Sequence, residues 1–261
     1  MRRRAAYDRC MNDYAWFERG HVAIVTGASK GLGLAVAREL AHAGISLVID
    51  ARNEAALDAA RQELSQLTDV VAVAGDVADA AHVHRLVETA EQRFGRIDLV
   101  VNNASTIGRS PLPALDQLSP STFDRIFTTN VYAPLHLIQH ALPVMKRGGG
   151  GTIVNVSSDA GIEAYPGWGG YGSAKAAIEH MSRILALELH GSGIGVIVAD
   201  PGDMDTDLHR EAVPDADPAE LADPRDVAPA LMRAIASPRP AYLRVALQGL
   251  SAAQAEVPVG A

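Results

Sequence analysis

Short apolar, β-branched runs alternate along the chain with longer stretches whose apolar positions recur at helical spacing. The run HVAIVT at 21–26 predicts a first strand, after which Leu34, Val36, Ala37, Leu40 and Ala41 share one face of a helix over 33–43. Similar runs at 46–50, 70–74, 98–102, 152–157 and 195–199 predict five more strands, and 242–247 a last one. Helices are expected at 53–67, 80–94, 119–146, 171–190 and 226–236. Their boundaries have local causes. Asn53 can cap one helix, Gly95 can end another, and Ser119-Pro120 joins a capping hydroxyl to a proline where a missing N–H costs nothing. Pro134 is expected to kink or divide the 119–146 helix.

Strands that are apolar throughout, each followed by a helix, predict one doubly wound α/β domain: a mostly parallel seven-stranded sheet in an α/β/α sandwich. That domain is expected over 20–261, preceded by an extension at 1–19. The stretch 203–224, acidic and rich in Pro and Asp, is the least regular and is expected to be a loop or a short helical lid near the substrate.

Composition narrows the functional classes. The chain has 261 residues, 48% of them hydrophobic, enough for a sizeable core. A net charge of −8, with no basic block beyond Arg2-Arg3-Arg4, argues against nucleic acid as a partner. Cys10 is the only cysteine, so neither an internal disulfide nor a paired-cysteine metal site can form. The first residues lack the apolar core of a signal peptide, and no apolar run is long enough to span a bilayer, so a cytoplasmic protein without membrane association is expected. His136 and His140 stand four apart but lack the surrounding pattern of a zinc site, and no metal is expected.

The first strand runs into Thr26-Gly27-Ala28-Ser29-Lys30-Gly31-Leu32-Gly33. Glycines at a strand-to-helix turn let the backbone approach a pyrophosphate, whose charge the free N–H groups at the helix start can meet. The second strand ends Asp50-Ala51-Arg52. An acid there can bond an adenosine ribose, whereas an arginine can meet a 2′-phosphate. Arg52 and Lys30 together favour NADP(H), with NAD(H) the alternative.

The run YGSAK holds one of only three lysines in the chain. Tyr171 and Lys175, four apart, share a helix face. A neighbouring ammonium favours phenolate and would lower the tyrosine pKa, fitting Tyr171 to exchange a proton with an alcohol or alkoxide. Ser157 and Ser158 end the fifth strand, at the sheet edge where ligands bind, and Asn130 sits inside a helix where asparagine is a poor choice without a task.

Taken together, TGASKGLG at 26–33, NNAS at 102–105, Asn130, VNVSS at 154–158, YGSAK at 171–175 and PGDMDT at 201–206 resemble the short-chain dehydrogenase/reductase family over residues 20–250, in the manner of a 3-oxoacyl-reductase-like carbonyl reductase. The resemblance implies a Rossmann domain and hydride exchange between a nicotinamide cofactor and a ketone or secondary alcohol. It makes Tyr171 the acid/base, with Lys175 lowering its pKa and binding the nicotinamide ribose. Ser158, thirteen residues before the tyrosine, would polarise the substrate oxygen, and Asn130 would hold a water linking Lys175 to solvent. Cofactor contacts are implied for Gly27, Ser29, Lys30, Gly31, Leu32 and Gly33; for Asp50 and Arg52; for Asp76, at the adenine, and Val77; for Asn103 and Ala104; for Tyr171 and Lys175; and for Pro201, Gly202, Met204 and Thr206, the last at the carboxamide. Ser105 departs from the usual glycine, which would alter the turn or narrow the space beside the nicotinamide.

A mainly apolar substrate slot is expected from Ile107, Ile162, Ala164, Tyr165, Trp168, Met204 and Leu208, suited to an aromatic, alicyclic or acyl ketone. Excess apolar residues on the helices near 121 and 171 predict a homodimer or homotetramer. An NAD-dependent alcohol dehydrogenase, a non-catalytic nucleotide sensor and an epimerase or dehydratase are the rival readings.

Overall fold

A computed structural model describes residues 20–237 and 241–248. The expected extension at 1–19 lies outside the described residues. The strands are β1 (Val22–Val25), β2 (Ser46–Ala51), β3 (Val70–Ala74), β4 (Leu99–Asn102), β5 (Gly151–Val156), β6 (Ile194–Asp200) and β7 (Tyr242–Ala246). They form one seven-stranded sheet in the order β3-β2-β1-β4-β5-β6-β7, and every pairing is parallel.

Helices cover both faces, as a parallel sheet requires. Helices α1 (Gly31–His42), α2 (Glu54–Leu64) and α8 (Pro224–Ala236) bury one face with Ala23, Val25, Leu47 and Ile49. Helices α3 (Ala80–Phe94), α5 (Ala133–Arg147) and the end of α6 (Gly169–Glu188) bury the other with Val22, Ile24 and Val48. The alternation along β1 and β2 is the period of two of a pleated strand. Two short helices remain: α4 (Pro120–Phe127), and α7 (Asp207–Ala212) inside the acidic 203–224 stretch. Helix α6, at 20 residues, is the longest, and no described helix is long and apolar enough to cross a membrane.

The expected caps form. Asn53 accepts from Ala56 N–H, Ser119 accepts from Thr122 N–H, and Gly95 takes the left-handed conformation after α3. The expected break in the 119–146 helix lies just before Pro134. A wider, π-helical turn over Thr128–Tyr132 separates α4 from α5 and carries Asn130. Pro134 has no N–H for the carbonyl of Asn130, four residues earlier, and the wider turn accommodates that gap.

The chain leaves β1 for β2 and β3 in one direction and for β4 to β7 in the other. The β1 and β4 ends therefore open a crevice at the reversal of strand order.

Candidate active site

A cleft of about 820 Å³ occupies that crevice. Its floor is stitched across the reversal point. Thr26 Oγ1 accepts from Asn103 and Ala104 N–H, each at 3.0 Å, and Asn103 Nδ2 donates to Thr26 O at 2.8 Å. Gly33 stands behind this joint rather than in the cleft. A Cβ there would lie 2.4 Å from Asn103 Nδ2, so its bare Cα makes room for the amide. Gly27, at φ +67°, turns the chain at the cleft edge. The N-terminus of α1 receives no side-chain cap and no acidic residue, which leaves its N–H groups facing the cleft beside Ser29, Gly31 and Leu32.

Asp50 lines the cleft, yet its carboxylate is turned inward. It is 1% exposed, accepts from Gly27 N–H at 2.8 Å through Oδ1 and pairs with the buried His82 Nε2 at 3.0 Å through Oδ2. The cause is strand parity: residue 50 shares the face of Val48, which packs on α3, where His82 sits. Asp50 thus braces the glycine-rich turn from below. Arg52, beyond the strand end, is exposed on the cleft, as are Asp76, whose Oδ1 accepts from Ala78 N–H, and Ala78 itself; Val77 lines the cleft too. Lys30 reaches across to Asp207 of α7 at 2.5 Å.

At the opposite end stand Ser158, Tyr171 and Lys175, on the β5 end and the first turns of α6. Helix α6 is anchored by buried polar bonds: Asn102 to Asn155 at 2.7 Å, Asn155 to Ser182 at 2.8 Å, and Ser157 to Glu179 at 2.6 Å. Glu179 also accepts from Arg244 Nε at 3.0 Å. Lys175 is 3% exposed and donates to Val156 O at 2.7 Å. Burial pushes its pKa down to about 8, against the opposing pull of Glu179 and Asp200. Tyr171 is 7% exposed, and burial raises its pKa, outweighing the hydroxyls of Ser105 and Ser158 beside it. Burial thus raises the phenol pKa where a lowering by the lysine was expected.

Ser158 Oγ donates to Asp159 Oδ1 at 2.8 Å and accepts from Ala160 N–H. The Asn130 amide is engaged at both atoms: Oδ1 receives Thr106 N–H at 3.0 Å and Ser105 O–H at 3.2 Å, and Nδ2 donates to Thr106 O at 2.9 Å. The side chain expected to hold a water instead ties the segment after β4 to the π-helical turn. Ser105 leaves the turn unstrained, because no described residue other than glycine has a positive φ.

Trp168, Met204 and Leu208 line the cleft, with Pro201, Gly202 and Thr206; Trp168 packs edge-on to Tyr171 at 5.6 Å between ring centres. Thr206 also caps α7 by accepting from His209 N–H. Ile107 is buried among Ala160 and Tyr171. Ile162, Ala164 and Tyr165 do not line the cleft. Ile162 is 58% exposed, and the Tyr165 hydroxyl donates to Asp159 at 2.8 Å, because the chain runs outward after the Asp159–Gly161 turn. Sequence reasoning missed His82, Thr106, Asp207 and Arg125 of the lining or its support; the burial of His82 on the apolar face of α3 was the one local signal. His140 packs edge-on to His84 rather than with His136, and no cluster of three or more metal-ligating side chains exists among the described residues.

A family model described as short chain dehydrogenase matches residues 21–217. The chain belongs to the short-chain dehydrogenase family. It is 39% identical over 197 residues to a short-chain type dehydrogenase/reductase of Picea abies, covering 72% of each. A short chain dehydrogenase structure from Pseudomonas syringae superposes with a TM-score of 0.82 at 30% identity, over 88% of this chain and 95% of the other. An alcohol dehydrogenase from the archaeon Thermococcus sibiricus, complexed with 5-hydroxy-NADP, gives 0.77 at 28% identity, over 87% and 95%. This short-chain dehydrogenase is thus an NAD(P)(H)-dependent oxidoreductase that moves hydride between nicotinamide and carbonyl or alcohol groups.

Proposed function

We propose that the protein uses NADP(H) to interconvert a ketone and a secondary alcohol on a mainly apolar substrate, with Tyr171 as the general acid/base. The observation that carries this reading is the convergence of Ser158, Tyr171 and Lys175 at one end of a cleft whose other end presents Arg52 and Lys30. The cleft suits a dinucleotide: the uncapped start of α1 would face the pyrophosphate, and a Cβ at Gly31 would fill the gap to the Thr206 methyl, 3.4 Å away. Bound there, the nicotinamide would supply or accept the hydride.

The remaining work falls to the protein. Tyr171 would give its proton to the carbonyl oxygen in reduction and take it back in oxidation. Ser158, released from Asp159, would orient that oxygen. Lys175 would hold the nicotinamide ribose and, as an ammonium near the phenol, favour its ionised state. A cationic nicotinamide acts in the same direction, which offsets the burial that raises the phenol pKa. Asn130 would hold a relay water between Lys175 and solvent.

For the cofactor, Arg52 and Lys30 favour the 2′-phosphate. β2 ends on Ala51, with the Asp50 carboxylate turned inward, so no acid faces the ribose there. The NADP complex of the archaeal relative supports the same choice. One contact favours an NAD(H)-linked alcohol dehydrogenase as the second reading: Lys30 already has an ionic partner in Asp207. Trp168, Met204 and Leu208 suit an aromatic, alicyclic or 3-oxoacyl ketone, and α7 would form part of a lid over it. Exposed Ile184 and Leu187 on α6, and exposed Tyr132 edge-on to Phe127, leave apolar surface for a homodimer or homotetramer joined through α4 and α6; a cytoplasmic location is proposed with it.

The test is parallel titration with NADPH and NADH by nicotinamide fluorescence, followed by a ketone screen with the tighter one. Tighter NADPH binding with ketone turnover is expected. Preference for NADH would overturn the phosphate assignment, and binding of neither would overturn the enzyme's proposed site.

A further inference from the structure

We propose that His82 is a positioning residue that holds the Asp50 carboxylate beneath the glycine-rich turn, keeps it from the adenosine ribose, and so preserves the cleft's preference for NADP(H) over NAD(H). The inference rests on the NADP(H) reading.

His82 is a fully buried side chain of α3 with no part in the proton chemistry. Its ring lies against Gly75, the residue after β3, where a Cβ would stand 2.2 Å from His82 Nδ1. The bare Cα of Gly75 makes room for the imidazole, and Gly75 itself borders the cleft with Asp76 and Val77. The ring therefore sits just behind the cleft wall.

Its hydrogen bonds define what the ring does. Arg85, three residues further along α3 and exposed, places Nη2 3.4 Å from His82 Nδ1. A guanidinium can only donate, so Nδ1 accepts and the ring proton sits on Nε2. Nε2–H donates to Asp50 Oδ2 at 3.0 Å, and Gly27 N–H donates to Asp50 Oδ1 at 2.8 Å. Each carboxylate oxygen thus has a donor, and Asp50 links α3 to the glycine-rich turn.

Asp50 also lines the cleft with Gly27, Ala51 and Arg52. An acid at the end of this strand can accept from a ribose 2′-hydroxyl, and it repels a 2′-phosphate. Which of these Asp50 does depends on where Oδ2 finds a donor. With His82 in place, Oδ2 is satisfied in the interior, and Arg52 is left to meet the phosphate. Without the imidazole, Oδ2 would have no side-chain donor among the described residues. A buried carboxylate oxygen without a donor is costly, and rotation toward the cleft relieves it. There the carboxylate would bond the ribose of NADH and oppose the phosphate of NADPH.

The test measures Kd for NADPH and for NADH by nicotinamide fluorescence on the full-length protein, with thermal unfolding confirming that each variant is folded. His82→Leu removes the donor, whereas His82→Gln can return an amide N–H near the place of Nε2. His82→Leu should lower the preference for NADPH by about tenfold or more, with His82→Gln within about threefold of the parent. In an Asp50→Asn background, where position 50 has no charge, His82→Leu should leave the preference unchanged. Equal weakening of both cofactors by His82→Leu, no rescue by His82→Gln, or the same shift in the Asp50→Asn background would each overturn the role of His82. If the leucine variant does not fold, His82→Asn, whose amide is too short to reach Oδ2, makes the same comparison. A parent protein that prefers NADH would instead overturn the NADP(H) reading itself, before any variant is compared, and this inference with it.

Discussion

The ammonium of Lys175 stands 5.3 Å from the centre of the Tyr171 ring, one helical turn away on α6, yet gives its hydrogen bond to the Val156 carbonyl at 2.7 Å. The lysine is a buried cation held by the end of β5, near the phenol without bonding it. Its charge is maintained against burial by Glu179 and Asp200.

Burying that charge has a consequence for stability. Burial holds the folded-state pKa of Lys175 at about 8, below the ordinary lysine value of 10.5. Below pH 8 both folded and unfolded chains hold the proton, so the full cost of burial is present; between the two values the folded chain sheds its proton first and the cost fades. Lys175→Met should therefore lose turnover yet be more stable at pH 7, by up to ~3 kcal/mol. Denaturant unfolding should show that advantage shrinking as pH rises from 8 toward 10. An advantage that stays constant would place its origin elsewhere.

Tyr171→Phe removes the proposed proton carrier and keeps the ring that packs on Trp168. Turnover should fall by about 10²- to 10⁴-fold, the usual worth of a positioned acid/base, with NADPH binding unchanged. Steady-state rates and a fluorescence titration on the same preparation check both halves.

Arg52→Ala should weaken NADPH by about ten- to a hundredfold, the loss of one charge-assisted hydrogen bond, and leave NADH nearly unaffected. Equal weakening of both would move the 2′-phosphate away from Arg52.

Asn130→Asp keeps an acceptor for Thr106 N–H and Ser105 O–H but sets a second acceptor against the Thr106 carbonyl. It should destabilise the protein by about 1–3 kcal/mol, the cost of an unsatisfied buried group. Thermal unfolding of the variant provides the measurement, with Asn130→Ala expected to show a loss at least as large.

Much of the fold was legible because it depends on neighbours close in the chain. The period-two and period-3.6 apolar patterns, the Asn53 and Ser119 caps and the Gly95 stop are local devices, and the structure has each of them. Pro134 announced a break in its helix for the same reason, although the form of the break, a π-helical turn, depends on how α4 and α5 pack. The spacing of Tyr171 and Lys175 likewise needed only the geometry of one helix.

The sequence by itself therefore determined the order of strands and helices, the glycine-rich turn and the tyrosine–lysine pair. Tertiary structure decided what each polar group faces. Asp50 follows the face of Val48 toward His82, 32 residues later, and so braces Gly27. Asn130 closes on Thr106 and Ser105 through contacts that no local pattern encodes. The direction of the Tyr171 shift belongs to the same level. A neighbouring ammonium can be read from spacing, but desolvation depends on every residue that excludes water from the phenol, and here it raises the phenol pKa.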